Sequence, residues 1–308
     1  MKKDPTRKCE IWAVGGGKGG VGKSFVLSSI GMSLAQKGKV VMVDADLGGA
    51  NLHNFLGLSR PSLSLTDFFE RKIMLSDLIV DSGIANLGLL TGAIGSIGAE
   101  GIKHSQKNKF FNHIKKLDTD YVLIDLGAGT HFNTIDTFLL AEKMIIVITP
   151  EIISIENMYN FLRNVFFRRL GVIFTEHGYR DLIMSTWQRR AEYSINNFKQ
   201  LVDFLRQQST EIAGIINSEL SDFKVHIILN QARNNQDIMI GNSVKSICLK
   251  FFGIHSLYSG YVEYDELVSR SVNQRQAYMK AYPLGRCARE IERITGNLLS
   301  GRQVSIIK

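Results

Sequence analysis

Short runs of apolar, β-branched residues recur along the chain and alternate with longer amphipathic stretches. Most of these runs are apolar at successive positions, as expected for strands that are buried on both faces of a parallel sheet. The predicted strands are residues 10–14, 40–43, 87–90, 121–124, 144–148, 225–229 and 255–258. Predicted helices between them include residues 23–37, 133–142, 154–169 and 242–252. The alternation predicts an α/β fold with a doubly wound, mostly parallel sheet.

One interval, residues 161–222, departs from this alternation because it contains no convincing strand. Within it, residues 187–207 and 211–220 have the spacing of amphipathic helices. The strand pattern resumes at residue 225, so we expect a helical insertion rather than a second domain. The prediction is a single domain, residues 1–308, with a helical insertion at 161–222.

The composition narrows the class of protein and the class of partner. With 44% hydrophobic and 21% charged residues, the chain is globular rather than disordered. Its net charge of +8 favours an anionic partner, which leaves nucleotides, nucleic acids and anionic lipids open. The three cysteines are far apart, and no apolar run approaches the roughly 20 residues of a membrane-spanning helix. We therefore expect a cytoplasmic protein that is soluble or at most peripheral at a membrane.

The strongest motif is the glycine-rich segment GGGKGGVGKS, residues 15–24, between a predicted strand and a predicted helix. It contains the G-x-x-x-x-G-K-[ST] pattern of a P-loop, in which backbone N–H groups and a helix N-terminus surround phosphate oxygens. Lys23 is predicted to reach the β- and γ-phosphates, and the Ser24 hydroxyl to ligate Mg²⁺. The residues of this segment predicted to contact the nucleotide are Gly17, Gly19, Gly20, Val21, Gly22, Lys23, Ser24 and Phe25.

Aspartates follow two of the predicted strands. Asp44 and Asp46 come directly after the run VVMV, and Asp125 ends the run YVLI. Ligands in open α/β sheets bind at the carboxyl edge of the strands, and Mg²⁺ prefers oxygen ligands such as carboxylates. We expect Asp125 to contact Mg²⁺ directly or through water. For Asp44, a place in the metal shell and a role as a turn or helix cap both stay open.

A second lysine, Lys18, gives the loop the form K-G-G-x-G-K-[ST]. This form resembles the deviant Walker A motif of the MinD/ParA family of P-loop ATPases. Motif order and strand alternation match that family over about residues 1–160 and 224–300. The resemblance implies binding of ATP or ADP with Mg²⁺, slow and partner-stimulated hydrolysis, and an ATP-dependent homodimer. In that dimer Lys18 reaches the phosphates of the other subunit and stabilises their charge.

The segment DADLGGAN, residues 44–51, resembles the first switch of the same family. The resemblance implies that Asp46 polarises the attacking water and that Asn51 is the switch asparagine. Lys18, Lys23 and Asp46 are therefore the predicted catalytic residues. The second switch begins at Asp125 and has Gly127 where the family usually has proline, so we expect a more mobile loop there.

Two later segments resemble the loops with which the family contacts adenine. Asn230 and Arg233 in ILNQAR match the N-x-x-R string that follows a late strand. The segment GYVEYD, residues 260–265, resembles the G-x-I-P-x-D loop over the base, with Glu263 in place of proline.

Within the family, the run DADLGGANLHNFLG most resembles the FlhG group, also called FleN or YlxH. That group controls flagellar number and placement alongside the GTPase FlhF. The resemblance implies a protein partner such as an FlhF-like GTPase or a flagellar regulator, and a location at the inner membrane or the cell pole.

Two other classes stay open. One is a ParA-like ATPase that binds DNA non-specifically for partitioning, with a solvated basic face as the competing interpretation of the same arginines. The arginines concerned are Arg163, Arg168, Arg169, Arg180, Arg189, Arg190 and Arg206. The other is a metal-cluster carrier of the Mrp type, which would need a C-x-x-C pair, whereas Cys248 and Cys287 are far apart.

The tail, residues 289–308, has Ile291, Ile294 and Leu298 on one helical face. The spacing suits a last helix packed on the sheet and equally an amphipathic lipid anchor.

Overall fold

The computed structural model describes residues 9–17, 19–46, 50–70, 73–92, 104–127, 132–221 and 223–304. The strands are β1 (Glu10–Gly15), β2 (Val40–Asp44), β3 (Val80–Ile84), β4 (Leu87–Leu90), β5 (Tyr121–Asp125), β6 (Lys143–Ile148), β7 (Val225–Ala232) and β8 (Leu257–Glu263). The helices of the first half are α1 (Lys23–Ala35), α2 (Leu52–Phe55), α3 (Leu65–Glu70), α4 (His104–Ile114), α5 (Phe132–Leu139) and α6 (Ile152–Glu176). Those of the second half are α7 (Arg180–Gln188), α8 (Phe198–Arg206), α9 (Thr210–Ser221), α10 (Asn235–Phe252), α11 (Glu266–Asn273), α12 (Tyr278–Ala281) and α13 (Arg286–Ser300).

The strands form one eight-stranded sheet in the order β3-β4-β2-β5-β1-β6-β7-β8. Neighbouring strands are parallel, except that β3 is antiparallel to β4. The predicted doubly wound, mostly parallel α/β sheet is confirmed. The edge strand β3 was not predicted, because its sequence VDSGI lies partly in solvent and lacks an apolar run. The strand predicted at 255–258 begins at Leu257 and continues into the polar segment that ends at Glu263.

Alternate residues of β1 show why the predicted strands are apolar throughout. Ile11 and Ala13 belong to the hydrophobic core on one face of the sheet, and Trp12 and Val14 to the core on the other. Helices α5, α6, α8, α9 and α10 contribute to the first core, and α1, α12 and α13 to the second. Because both faces are covered, the central strands β1, β2, β5 and β6 are buried at every position except the first residues of β1 and β6, Glu10 and Lys143, which are partly buried.

Helices α6 to α9 connect the parallel neighbours β6 and β7, and no strand occurs among the described residues of this interval. The single helix predicted at 187–207 is wrong. Helix α7 ends at Gln188, and α8 starts after Asn197, whose side chain accepts a hydrogen bond from Gln200 N. The turn between them folds back so that Tyr193 stacks on Phe204, with ring centroids 4.5 Å apart. The first of these helices, α6, begins at Ile152, before the boundary at residue 161 that the sequence predicted for the insertion. The division into one domain, 1–308, with an insertion at 161–222 stays a prediction.

The last helix, α13, packs on the sheet. Ile291, Ile294 and Leu298 are 0%, 1% and 0% exposed. A Cβ atom on Gly260 of β8 would lie only 2.4 Å from Ile294 Cγ1, so the helix approaches that strand closely. The apolar face of this helix is therefore core rather than a lipid anchor; residues 305–308 lie outside the described residues. Within the described ranges, every helix is too short or too polar to cross a membrane.

The register of the central strands determines where the polar strand ends meet. Asp125 at the end of β5 lies opposite Val14 of β1 on one side and opposite Asp44 of β2 on the other. The glycine-rich loop follows β1, so this loop and the two aspartates share the carboxyl edge of the sheet.

Candidate nucleotide-binding site

The glycine-rich loop requires glycine at several positions. Gly20 and Gly22 have φ angles of +80° and +87°, in the left-handed region that favours glycine. At Gly17, a Cβ atom would lie 2.1 Å from the backbone carbonyl oxygen of Asn157 in α6. Gly19 and Gly20 are exposed at the tip of the loop. The loop is thus folded tightly between β1 and α1, with its tip facing solvent.

Asn230 holds this loop from the end of β7. Its side chain is 4% exposed, and Nδ2 donates a 2.8 Å hydrogen bond to the carbonyl oxygen of Val21. A Cβ atom on Gly22 would lie 2.1 Å from the same Nδ2 atom. The sequence predicted an adenine contact for Asn230; the structure places its amide on the loop backbone, and the adenine contact stays a prediction.

Lys23 is the first residue of α1 and is 8% exposed. Burial lowers the pKa of its ammonium group, and the nearby charges of Asp125 and Asp46 oppose that shift. The residue therefore lies among the acidic residues that the sequence predicted for the site. A buried ammonium group at the start of a helix is a strong electrostatic partner for phosphate oxygens.

Asp125 is 3% exposed, and its carboxyl accepts a hydrogen bond from the Ser24 side chain. Its Oδ1 atom is buried without a hydrogen-bond partner. Burial raises the pKa of Asp125 to about 7; the Ser24 hydrogen bond and the Lys23 charge oppose the shift, whereas the charges of Asp44 and Asp46 add to it. An unpartnered buried carboxyl oxygen beside a serine hydroxyl fits the oxygen donors that Mg²⁺ takes in nucleotide sites.

Asp44 uses both carboxyl oxygens on the backbone of the segment that follows it. Oδ1 accepts from Asp46 N at 3.1 Å and Oδ2 from Leu52 N at 2.9 Å. Burial raises the pKa of Asp44 to about 6, in spite of these hydrogen bonds. The contacts agree with the turn-stabilising alternative, because they fix both ends of the segment 46–52. A place for Asp44 in the metal shell stays a prediction.

The Asp46 carboxyl lies beside Gly127, and Gly127 is the residue that stands where the family usually has proline. A Cβ atom on Gly127 would lie 3.0 Å from Asp46 Cγ, which is tighter than ordinary contact. Gly127 therefore leaves room for Asp46 where a larger residue would displace it. Lys18 and the switch residues 47–49 and 128–131 lie outside the described residues, so their predicted roles stay predictions.

On the side predicted for adenine, two short clusters follow β7 and β8. The Arg233 guanidinium lies 4.3 Å above the ring of Tyr264, and both side chains reach solvent. Such a cation–π pair offers a flat surface and hydrogen-bond donors. Glu263, which replaces the family's proline, forms an ion pair with Arg286 of α13.

Phe25 was predicted to contact the nucleotide, but its ring is 5% exposed and packs edge-on against Tyr278, with ring centroids 5.7 Å apart. The Tyr278 hydroxyl donates to Asp265 Oδ2 at 2.7 Å. Only the backbone of Phe25 is therefore placed to serve the loop, and its side chain joins α1 to the segment after β8.

Comparison with known proteins agrees with this geometry. Residues 8–176, more than half of the chain, match the ParA family, described as NUBPL iron-transfer P-loop NTPase. The chain belongs to the ParA family of P-loop NTPases. A putative septum site-determining protein MinD from Oltmannsiellopsis viridis is 39% identical over 145 residues, 46% of this chain and 45% of that protein. The antiactivator FleN of Pseudomonas aeruginosa is 29% identical over 157 residues, 50% of this chain and 55% of that protein.

The chain thus spans about half the length of the curated relatives it matches. A solved structure resembles it over a longer range: the septum site-determining protein MinD of Pyrococcus horikoshii, complexed with Mg-ADP. That structure has a TM-score of 0.64 and 20% identity and covers 97% of this chain and 100% of its own. At this identity the likeness shows the fold.

The cysteines of this ParA-family chain do not converge. Cys248 and Cys287 are both fully buried, and they belong to hydrophobic cores on opposite faces of the sheet. The sheet therefore separates the two thiols, and they do not form the close pair that an Mrp-type cluster carrier would need.

Thr149 lies at the same carboxyl edge of the sheet and was not among the residues predicted from the sequence. It follows β6 directly, next to the glycine-rich loop, because β6 is the neighbour of β1. Its Oγ1 atom is buried without a partner, while its N–H donates to Ser154 Oγ at 3.0 Å. The signal that identified Asp44, a polar residue immediately after an apolar strand, would also have found Thr149.

Proposed function

We propose that this ParA-family chain is a Mg²⁺-dependent ATP hydrolase whose ATP-driven homodimerisation acts as a regulatory switch. We further propose that the switch provides FlhG-like control of flagellar number or placement. The observation that carries the first proposal is the unpartnered, buried Oδ1 of Asp125 beside Ser24 and Lys23. The second is supported by the FlhG-like switch sequence and by the FleN relative; the MinD relatives have higher identity and support the general switch.

Each residue then has a defined task. The loop N–H groups and the Lys23 ammonium bind the β- and γ-phosphates of ATP. Ser24 and Asp125 hold Mg²⁺, which, when bound, neutralises charge on the phosphates. Asp46 orients the attacking water from its place beside Gly127, while Asp44 keeps the Asp46 backbone in position. Lys18 of a second copy adds positive charge at the same phosphates.

The face that would meet the second copy is apolar beside the loop. Ile152 and Ile153, at the start of α6, are 77% and 59% exposed. The same helix touches the loop through the Asn157 carbonyl at Gly17. Two adjacent exposed isoleucines at the edge of a phosphate loop support a contact with another subunit across the nucleotide.

The DNA-binding alternative is less supported, because the arginine-rich helices neutralise much of their own charge. Four of the seven arginines form ion pairs: Arg168 with Asp136, Arg169 with Glu219, Arg189 with Glu192 and Arg206 with Asp203. Guanidinium groups that are already paired neutralise fewer phosphates, so binding releases fewer counterions from the DNA. We therefore expect weak DNA retention that ATP does not enhance. Strong ATP-dependent retention on duplex DNA, falling steeply with salt, would instead favour the ParA-like function.

Lys18→Ala tests the dimer. We expect nearly unchanged ATP affinity but loss of the ATP-dependent dimer, because this lysine acts on the other subunit's phosphates. The measurement is molar mass by light scattering with ATP, ADP and no nucleotide. Lys37→Ala, at an exposed lysine after α1, is the control and should dimerise like the wild type. Normal dimerisation of Lys18→Ala would contradict the proposed role.

Asp46→Ala tests hydrolysis. Loss of the carboxylate that orients water should lower the turnover number by about 10²–10⁴-fold and leave an ATP-bound dimer. Phosphate release and molar mass are measured on the same sample. A variant that hydrolyses ATP at the wild-type rate would remove Asp46 from the mechanism.

The flagellar part of the proposal needs a separate measurement. In a flagellated host that carries this gene, replacement by the Lys18→Ala variant should change the number or position of flagella counted by electron microscopy. Unchanged flagella, together with a confirmed ATP-dependent dimer, would reject the FlhG-like role and leave the ATPase switch in place.

A further inference from the structure

A cavity lies at the opposite edge of the sheet from the glycine-rich loop. It has a volume of about 620 Å³ and is formed where β6, β7 and β8 begin, under α6 and α9. We call it the basal cavity; its charged and imidazole-bearing lining residues are Glu142, Lys143, Arg169, Glu219, Lys224 and His226. The volume is within the range of sites that hold small molecules, roughly 300–1,000 Å³.

Positive groups converge on this cavity. His226 is 5% exposed, and its Nδ1 lies 2.9 Å from Ser259 Oγ. Burial lowers the pKa of His226 to about 4, and the charges of Lys143 and Lys224 add to the shift, so both ammonium groups act on the ring. The imidazole is therefore neutral at physiological pH. Lys143 forms an ion pair with Glu10, so the positive potential at the opening comes chiefly from Lys224.

The two carboxylates of the lining are already engaged. Glu219 Oε2 accepts a 2.5 Å hydrogen bond from an Arg169 terminal nitrogen. Glu142 Oε2 accepts the Ile11 backbone N–H at 2.8 Å, which ties it to the start of β1. Arg169 balances the charge of Glu219. The Ile11 hydrogen bond holds one oxygen of Glu142 towards β1, but Glu142 keeps its negative charge.

Arg169 retains a donor that these contacts do not use. Its Nε atom is buried and has no hydrogen-bond partner. A buried N–H without an acceptor is costly in a native fold, so an added acceptor beside Arg169 would be favourable. Leu139, Met144, Phe223 and Leu257 provide apolar walls around the same space.

We propose that the basal cavity binds a small organic anion, whose phosphate or carboxylate group accepts hydrogen bonds from the Arg169 guanidinium, 39% of whose side chain is exposed, and whose apolar part packs against Met144, Phe223 and Leu257. The exposed Lys224 attracts the anion to the opening, whereas Lys143 is paired with Glu10. This site is separate from the nucleotide site and does not depend on hydrolysis or dimerisation.

Helix α6 contributes Arg169 to the basal cavity and also contacts the glycine-rich loop. Asn157 of this helix touches Gly17, and Arg169 lies twelve residues further along the same helix, about 18 Å at 1.5 Å per residue. One continuous helix thus joins the two sites.

The test observes the Arg169 Nε–H group directly. The ¹H–¹⁵N spectrum of labelled protein is recorded with excess Mg²⁺-ADP, which occupies the phosphate loop, and Arg169→Lys identifies the signal by its loss. Phenyl phosphate, phenylacetate and the neutral benzyl alcohol are then titrated separately. We expect a saturable shift of the Arg169 signal with at least one anion and none with the alcohol. A response to phenyl phosphate alone assigns a phosphate ligand, and a response to phenylacetate alone assigns a carboxylate.

Calorimetric titration with the same probes measures the affinity independently. Arg169→Gln should weaken binding by about tenfold or more, because a charge-assisted hydrogen bond is lost. Lys224→Gln, a change at an exposed position, should weaken it a few-fold. Arg168→Gln is the matched control, since the neighbouring Arg168 pairs with Asp136 instead, and should bind like the wild type. No saturable response to either anion, or equal affinity in Arg169→Gln and wild type, would overturn the proposal.

Discussion

At the carboxyl edge of the sheet, Lys23, Asp44 and Asp125 are buried together and are 8%, 1% and 3% exposed. In helices α6 to α9, by contrast, charged side chains pair with one another at the surface, as in Lys199–Asp203 with side chains 48% and 40% exposed. The first group is held where desolvation shifts its pKa values, and one carboxyl oxygen has no partner. The charged side chains of the second group form ion pairs with one another.

This difference in burial and pairing distinguishes two kinds of charged group. Those at the carboxyl edge of the sheet are placed to meet a ligand, whereas those on α6 to α9 keep the surface soluble. Buried like charges, such as Asp44 and Asp125, raise the free energy of the nucleotide-free fold, and a protein retains them where a ligand relieves the cost. Exposed pairs contribute little, because water already solvates both partners. Three substitutions sharpen this comparison.

Asp125→Asn should have the largest effect on the stability of the nucleotide-free protein. Because burial raises the pKa of Asp125 from its ordinary value to about 7, the native state binds more protons than the unfolded state below that pH. The free energy of unfolding of the wild type therefore falls as the pH rises from about 4 to about 7 and then levels off. The neutral variant lacks this contribution and should be more stable than the wild type at pH 8, on the order of 1–3 kcal/mol, and similar near pH 4.

Urea unfolding at the two pH values measures this difference. Asp44 and Glu290 also have raised pKa values, about 6 and about 7, and remain in the variant, so the quantity to compare is variant minus wild type. Asp118→Asn is the control, since that side chain is 74% exposed in its ion pair with Lys39. An Asp125→Asn protein with the pH dependence of the wild type would show that Asp125 does not carry the buried charge.

Asn230→Ala should have an intermediate effect. The change removes the hydrogen bond to Val21 O and leaves that buried carbonyl without its donor, which costs about 1–2 kcal/mol. A loosened loop should also bind ADP about tenfold more weakly. Fluorescent-nucleotide titration and urea unfolding measure the two quantities, with exposed Asn235→Ala as the control. Unchanged nucleotide affinity would mean that the loop keeps its shape without Asn230.

Lys199→Gln should have the smallest effect. It breaks the surface pair with Asp203 on α8, and the free energy of unfolding should change by less than about 0.5 kcal/mol. Urea unfolding at low and at high salt checks this. A loss of more than 1 kcal/mol, roughly twice the expected limit for such a pair, would mean that the insertion depends on its ion pairs.

The amino-acid sequence predicted the central strands and the glycine-rich loop well, because both depend on local patterns. Continuous apolar runs mark strands buried on two faces, and glycines with positive φ mark the loop. The sequence did not predict β3, because a strand at the edge of the sheet lies partly in solvent and has no apolar run. It also predicted one helix at residues 187–207, where the Asn197 cap and the stacking of Tyr193 on Phe204 divide the segment into two elements.

By itself, the sequence determined the α/β alternation, the order of the motifs and the residue types at the carboxyl edge. Only the tertiary structure decided which of those groups have an oxygen atom without a hydrogen-bond partner. Asp44 and Asp125 look alike in sequence, yet backbone N–H groups of Asp46 and Leu52 use both oxygens of Asp44, and one oxygen of Asp125 stays unpartnered. The tertiary structure also decided between the two interpretations of α13, because its apolar face packs in the core. The physical reason is that periodicity defines which residues share a face, whereas burial and hydrogen-bond partners come from residues far away in the chain.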